Sequence, residues 1–371
     1  LYFSILMKKK IFIITGEESS DKLASIIFSS LDKKNYEIKA IGGENLKNLN
    51  FPIIFDNKKI TFFGITDVIK NIFKIINLIN YTVNECIKFK PDLIFSVDCP
   101  DFSFRVIEKV KKKIKTKAYH FVAPTIWSWR ENRALKIKKI IDHIFLLFPF
   151  EKYYFDKYNI SNSFVGHPYF LNYKNNYNQS NLKGDIITLC PGSRKSELNE
   201  MLPILIEVIK KINKDYTFHF PATSQTFDYL NNILKKQKFK FVLSQNEEER
   251  SKYIRDSIIS VAKSGTISLD ICKNMCPLIT IYKMTNLNYF LIKPFVKVKF
   301  VNIINIIAGK EIIPELIQYD CTADKISSLV LKYLENKNLR LNNVENYSNI
   351  ISQFANKGTD IKIIKFLQKN L

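Results

Sequence analysis

The sequence predicts an α/β protein built of two Rossmann-like domains facing each other across a cleft. Three observations lead there. Short apolar runs, each closed by a polar turn, alternate with stretches of helical periodicity, which is the pattern of a parallel sheet with crossover helices. The alternation comes as two series, separated by a polar stretch rich in Asn and Tyr. The chain has 371 residues, more than one hydrophobic core usually serves.

The first series opens with residues 11–15, a Gly-Glu turn and a helical pattern through Leu31. Further strands are expected at 37–41, 92–97, 117–122 and 144–147, with helices over 68–88 and 104–113. Residues 172–185 carry no apolar period and read as a linker. The second series places strands at 186–190, 216–220, 240–243, 258–262 and 278–282. The domains are therefore expected at 7–171 and 186–345, with 346–371 as a final helical segment.

Composition narrows the function classes. A content of 46% hydrophobic and 13% aromatic residues is that of a folded chain. The balance of 57 Lys and Arg against 35 Asp and Glu gives +22, a field that attracts nucleic acid or an anionic membrane surface. Much of the excess is Lys scattered among Asn, Ile and Phe, so biased base composition accounts for it equally well. No cluster of Arg with aromatic platforms appears, and a nucleic-acid partner is not expected. The six cysteines form no CxxC pair and read as reduced cytosolic thiols. Cys272 and Cys276 lie four apart with no His beside them, so buried thiols are expected there in place of zinc; no metal or cofactor is expected. No apolar run approaches the ~20 residues of a membrane span, and the N-terminus reads as one short strand followed by polar residues, so neither a span nor export is expected; residues 1–6, ahead of Met7, are assigned no function.

Open α/β sheets bind ligands beyond the carboxyl ends of their strands. Five turns at such places stand out. Gly16-Glu17-Glu18-Ser19-Ser20-Asp21 lacks GxGxxG and reads first as a helix cap. In Ser96-Val97-Asp98-Cys99-Pro100-Asp101, a carboxylate at the strand end can take a proton from a hydroxyl, and capping suits Asp101 better than Asp98. The segment 122–130 holds Trp127, Trp129 and Arg130, which either line a sugar or lipid site or simply pack. Pro191-Gly192-Ser193-Arg194-Lys195-Ser196-Glu197 opens a helix after a strand. Its glycine, free N–H groups and Arg194 make it the best-supported anion site of the chain. Lys263-Ser264-Gly265-Thr266-Ile267-Ser268-Leu269-Asp270 suits a phosphate at the turn and a diol at the acid.

In order along the chain, GEESSD, FFGITDV, PDLIFSVDCPDF, PTIWSWR, FPFEKYYF, FVGHP, PGSRKSE, SGTISLD and NIIAGKEIIPELIQ resemble the successive motifs of the lipid-A-disaccharide synthases. Singly the strings are weak, but their joint order over residues 11–318 is highly specific. The resemblance implies a two-domain GT-B glycosyltransferase of the inverting kind, needing no metal. It would transfer 2,3-diacylglucosamine from UDP to the 6-hydroxyl of 2,3-diacylglucosamine 1-phosphate, lipid X, giving a β-1,6 disaccharide and UDP. It makes Asp98 the base for the acceptor hydroxyl and Arg194 the partner of the pyrophosphate, with Ser264, Gly265 and Thr266 completing the cradle. Asp270 matches a ribose-holding acid that is usually Glu in the family. Asn305, Glu315 and Gln318 match a late polar cluster facing the cleft. Ser19 and Asp21 match the first loop, where Ser20 replaces a family Gly. His167, in FVGHP, is left to hinge or packing roles.

Acylated substrates imply contact with the cytoplasmic face of the inner membrane. Phe62, Phe63, Ile65, Ile69, Ile72, Phe73 and Ile76 form an apolar stripe with Lys70 and Lys74 on its polar side, which suits either membrane contact or a core helix. The family resemblance also leaves open whether 346–371 returns to the first domain or crosses to a partner in a homodimer. A UDP-GlcNAc transferase to another lipid, or a UDP-GlcNAc epimerase, would share the phosphate cradle; PTIWSWR and VDCPDF argue against both. An inactive homologue is a further reading, raised by Ser20 and Asp270 and opposed by Asp98 and Arg194.

Overall fold

The computed structural model describes residues 8–60, 71–126, 133–174, 184–212, 215–285, 289–290 and 298–371. Phe62, Phe63, Ile65, Ile69, Trp127, Trp129 and Arg130 lie outside these. The chain divides into two compact units, one of Leu1–Asn172 with Phe354–Leu371 and one of Tyr173–Gln353.

In the first unit the strands are β1 (Lys9–Thr15), β2 (Tyr36–Gly42), β3 (Ile53–Asp56), β4 (Leu93–Val97), β5 (Lys117–Phe121), β6 (His143–Leu146) and β7 (Asn162–Phe164). They form one parallel sheet in the order β3-β2-β1-β4-β5-β6-β7. The helices are α1 (Glu18–Ser29), α2 (Glu44–Asn48), α3 (Ile72–Phe89), α4 (Pro100–Lys111), α5 (Arg133–Ile140) and α6 (Glu151–Asp156). Strands covered on both faces need apolar side chains in both directions, so β1 and β4 are buried runs without polar alternation, Ile11 to Ile14 and Leu93 to Phe95 being wholly inaccessible. Helix α3 follows the period of 3.6. Ile79, Val83, Cys86 and Phe89 turn inward, and Phe73 and Ile76 on the remaining surface are exposed. It ends at Lys90, which takes a left-handed conformation (φ 52°) and returns its N–H to the Cys86 carbonyl.

The second unit repeats the layout with β8 (Ile186–Cys190), β9 (Thr217–Pro221), β10 (Phe241–Ser244), β11 (Ser257–Lys263), β12 (Leu278–Tyr282) and β13 (Glu315–Ile317), in the order β10-β9-β8-β11-β12-β13, again parallel. Its helices are α7 (Lys195–Lys211), α8 (Phe227–Leu234), α9 (Glu247–Asp256), α10 (Thr266–Lys273), α11 (Ile303–Ala308), α12 (Ala323–Glu335) and α13 (Lys337–Ile351). In both sheets the order reverses beside the first strand, between β1 and β4 and between β8 and β11. Such switch points open crevices at the carboxyl ends of the strands.

The chain returns to the first unit after Gln353, later than residue 346, because α13 is unbroken and belongs to the second. Tyr347 there is fully buried and donates to the Cys276 carbonyl at 3.1 Å. The last helix, α14 (Thr359–Asn370), packs on α1 and sets Phe366 among Tyr119, His143 and Phe145. The strands β3, β7 and β13 were not expected from the sequence; each is a short edge strand.

Candidate active site

Both switch points carry the turns singled out in the sequence. In the first unit, β4 ends at Val97, and the next two residues both take the left-handed conformation, Asp98 at φ 53° and Cys99 at φ 49°. Two successive non-glycine residues there store of order 1–3 kcal/mol each, strain that gathers at functional sites. It is held by neighbours. The Asp98 N–H donates to the Phe121 carbonyl at 3.0 Å, and the Cys99 carbonyl accepts from the Phe102 and Ser103 N–H groups as α4 starts, with Pro100 in its first turn. Asp101 is an exposed first-turn acid of α4. Burial raises the Asp98 carboxyl above the ordinary carboxylate range, and a hydrogen bond from the Cys99 N–H only partly offsets this. A carboxylate made more basic at a strand end is suited to accept a proton from a hydroxyl.

The turn after β1 packs directly on this one, Gly16 against Cys99. Ser20 fixes it: its Oγ accepts the N–H groups of Gly16 and Glu17, both at 2.9 Å, and donates to the Glu17 carbonyl. Asp21 is buried and holds a neighbouring loop, Oδ1 accepting the Gly43 N–H at 2.7 Å and Oδ2 the Asn45 N–H at 2.8 Å. Ser19 is partly exposed on the first turn of α1. Ser20 thus supports this turn, and Asp21 the loop after β2, through their hydrogen bonds. His167 packs on Phe148 and Phe170 while its N–H donates to the Phe354 carbonyl, joining the returning segment to this unit.

In the second unit, the loop after β8 passes Gly192 at φ 130° to Arg194, which caps α7 in extended conformation. Glu197, one turn into α7, folds back: its Oε2 accepts the Ser193 N–H at 3.0 Å and its Oε1 lies 3.5 Å from Arg194 Nη1 and 3.0 Å from Lys263 Nζ. The turn after β11 leaves Gly265 and Thr266 exposed at the start of α10, where the first N–H groups of a helix favour anions. The Ser264 hydroxyl donates to the Val301 carbonyl at 2.7 Å. Asp270 lies one turn into α10 with its Oδ2 3.3 Å from Arg250 Nη2 of α9. Glu197, Lys263 and Arg250 were not among the residues singled out for the site; the spacing Arg194 to Glu197, three apart on one helix face, was the available signal for the first.

The late polar residues hold backbone around β13. The Asn305 amide donates to Glu315 Oε1 and to the Ile313 carbonyl, and its oxygen accepts from the Ile312 and Ile313 N–H groups. Glu315 also accepts from the Val301 and Asn302 N–H groups, and burial raises its pKa. Gln318, at φ 51°, brackets Met284 with both ends of its amide. Among the described residues no three His, Cys, Asp or Glu side chains are grouped to hold a metal ion, and no helix is long and apolar enough to cross a membrane.

Comparison with known proteins gives this geometry its context. In solved structures the same architecture recurs at low identity. A UDP-GlcNAc 2-epimerase from Methanocaldococcus jannaschii, in complex with UDP-GlcNAc and UDP, matches with a TM-score of 0.63 at 17% identity, over 97% of this chain and 100% of that one. MurG from Acinetobacter baumannii matches with a TM-score of 0.59 at 14% identity, over 97% and 99%. These likenesses establish the GT-B fold. Among curated sequences, the lipid-A-disaccharide synthase of Rickettsia prowazekii is 34% identical over 94% of each chain. That of Hydrogenovibrio crunogenus is 31% identical over 88% of this chain and 91% of its own. The model of the lipid-A-disaccharide synthetase family matches residues 11–362. With a match of that extent, the chain belongs to the lipid-A-disaccharide synthase family of glycosyltransferases.

Proposed function

We propose that this glycosyltransferase moves 2,3-diacylglucosamine from UDP to the 6-hydroxyl of 2,3-diacylglucosamine 1-phosphate, with inversion at the anomeric carbon. The observation that carries the reading is Asp98, held in a strained turn at the end of β4 with its carboxyl made more basic by burial. Asp98 takes the proton of the acceptor hydroxyl as that oxygen bonds to the anomeric carbon. The bond from that carbon to the β-phosphate oxygen breaks, and its electron pair leaves on UDP.

In the second unit, Arg194 and the N-termini of α7 and α10 supply the positive field that a departing diphosphate requires. Gly265 and Thr266 offer backbone, whereas Ser264, with its hydroxyl turned to Val301, shapes the turn. Asp270 takes the ribose hydroxyls, oriented by Arg250. Asn305, Glu315 and Gln318 act by fixing the loops around β13. Ser19 is a partly exposed hydroxyl of the first loop, and Asp21 holds the neighbouring loop after β2 in place.

The exposed Phe73, with Ile76 beside it on α3, supports attachment to the inner face of the cytoplasmic membrane, where acylated substrates reside. The test is release of UDP and formation of a disaccharide by the purified chain from UDP-2,3-diacylglucosamine and lipid X in detergent. Folded protein that yields neither product would remove the assignment.

A further inference from the structure

Lysine is seldom buried, because its ammonium loses water unless an anion replaces it. Lys263, the last residue of β11, keeps only 12% of its side chain exposed. Its Nζ lies 3.0 Å from Glu197 Oε1 and 4.8 Å from the centre of the Tyr282 ring, so a carboxylate and an aromatic face both hold it. The same carboxylate oxygen faces Arg194 Nη1 at 3.5 Å, and its partner oxygen accepts the Ser193 N–H. One carboxylate thus gathers an ammonium, a guanidinium and a loop amide, the donor set with which proteins hold phosphate oxygens. The loop is shaped for it: a Cβ on Gly192 would sit 2.5 Å from Glu197 Oε2. Both cations meet Glu197 Oε1 at the start of α7, where the first N–H groups of a helix also favour an anion.

We infer that Lys263 is a second diphosphate-binding cation beside Arg194, and that Glu197 is the internal anion holding both at the loop. The ligand class is a nucleoside diphosphate, and the inference rests on the UDP-sugar reading above. Two phosphates bring enough negative charge to draw both cations from a single carboxylate. A neutral nucleoside has nothing to offer either.

Calorimetric titration of the full-length chain with UDP and with uridine separates the possibilities. Lys263→Met is expected to weaken UDP about 10- to 100-fold, the range of one charge-assisted hydrogen bond, and to leave uridine unchanged. Lys263→Arg should recover most of the affinity. Glu197→Gln, which removes the competing anion, should hold UDP at least as tightly as the wild type. Unchanged UDP binding in Lys263→Met, or a parallel loss of uridine, would overturn the inference and leave Lys263 a structural partner of Glu197. Should Lys263→Met not fold, Lys263→Arg against Lys263→Gln reads the same dependence on charge. A wild type that binds neither ligand would remove the UDP reading itself, a result separate from any difference between variants.

Discussion

Gly16 and Cys99 occupy one space: a Cβ built on Gly16 would lie 2.2 Å from Cys99 Cβ and 2.5 Å from its Sγ. The turns after β1 and β4 are packed so closely that the first admits no side chain. Because Cys99 follows Asp98 in the strained turn, Gly16→Ala must push on the proposed base. Overpacking of this kind costs about 1–3 kcal/mol. The expected result is a lowered melting temperature, with activity falling further than stability explains. Wild-type turnover in a folded Gly16→Ala protein would show that the position of Asp98 is not critical.

Asp98 is best tested as Asp98→Asn. Asn accepts a left-handed backbone more readily than Ala does, so the substitution at φ 53° removes the charge with little added strain. Turnover should fall about 10²–10⁴-fold. Stability should hold or rise, for the following reason. Burial raises the carboxyl pKa in the fold, so as pH climbs the unfolded chain gives up this proton first. The wild type therefore loses stability between the ordinary carboxylate pKa and the raised one, and Asp98→Asn does not. Melting curves across that interval, beside kinetic assays, check both halves.

The two sheets were legible because buried parallel strands are continuous apolar runs, as at Phe12 and Val261. Edge strands β3, β7 and β13 were not, since each is short and only partly covered: β7 and β13 carry no such run, and that of β3 is only Ile53 to Phe55. Turns after central strands were legible as places. The direction of each side chain was not: Asp21 and Asn305 look like site residues in sequence and are spent on backbone hydrogen bonds. Nothing in spacing brings Lys263 to Glu197 or Arg250 to Asp270, because these pairs form only once β11, α7, α9 and α10 are packed.

Glu151 should give the protein a pH-dependent stability. It is buried at the start of α6, where its Oε2 accepts the N–H groups of Leu147 and Phe148, just beyond β6, at 3.0 and 2.9 Å. Burial pushes its pKa up to about 8, against about 4.3 in an unfolded chain. The contribution is complete below the unfolded value and declines as pH rises toward 8. Glu151→Gln retains an acceptor and should flatten that decline. Glu151→Ala leaves two buried N–H groups unmet and should destabilise at every pH, by about 1–3 kcal/mol for each. Urea titrations at pH 5 and 8 distinguish the three proteins.

Asp270 predicts a split in kinetic constants. An acid that holds ribose hydroxyls contributes equally before and during transfer, so its loss raises KM and spares kcat. Asp270→Ala should raise KM for the UDP-sugar about tenfold, the cost of a hydrogen bond to a charged group. Arg250→Ala should move KM the same way but less, because its contact at 3.3 Å with Asp270 is partly exposed and screened. A fall in kcat with KM unchanged would place Asp270 at the reacting centre instead.

Phe73 is 81% exposed and Ile76 40% exposed on α3, a helix whose inward positions are already filled by Ile79, Val83, Cys86 and Phe89. Replacing both outer residues by Ser removes nothing from the core, and stability should change by no more than about 0.5 kcal/mol. If this surface enters the membrane, each side chain contributes up to about 1.5–3 kcal/mol of transfer free energy there. Sedimentation with anionic phosphatidylglycerol vesicles should then show binding weakened about tenfold or more. Turnover of vesicle-borne substrate should fall with it, while turnover in detergent holds. The two assays must part for the membrane reading to stand: equal loss in both would mean that α3 serves the fold of the first unit, and equal retention would move membrane attachment to another surface.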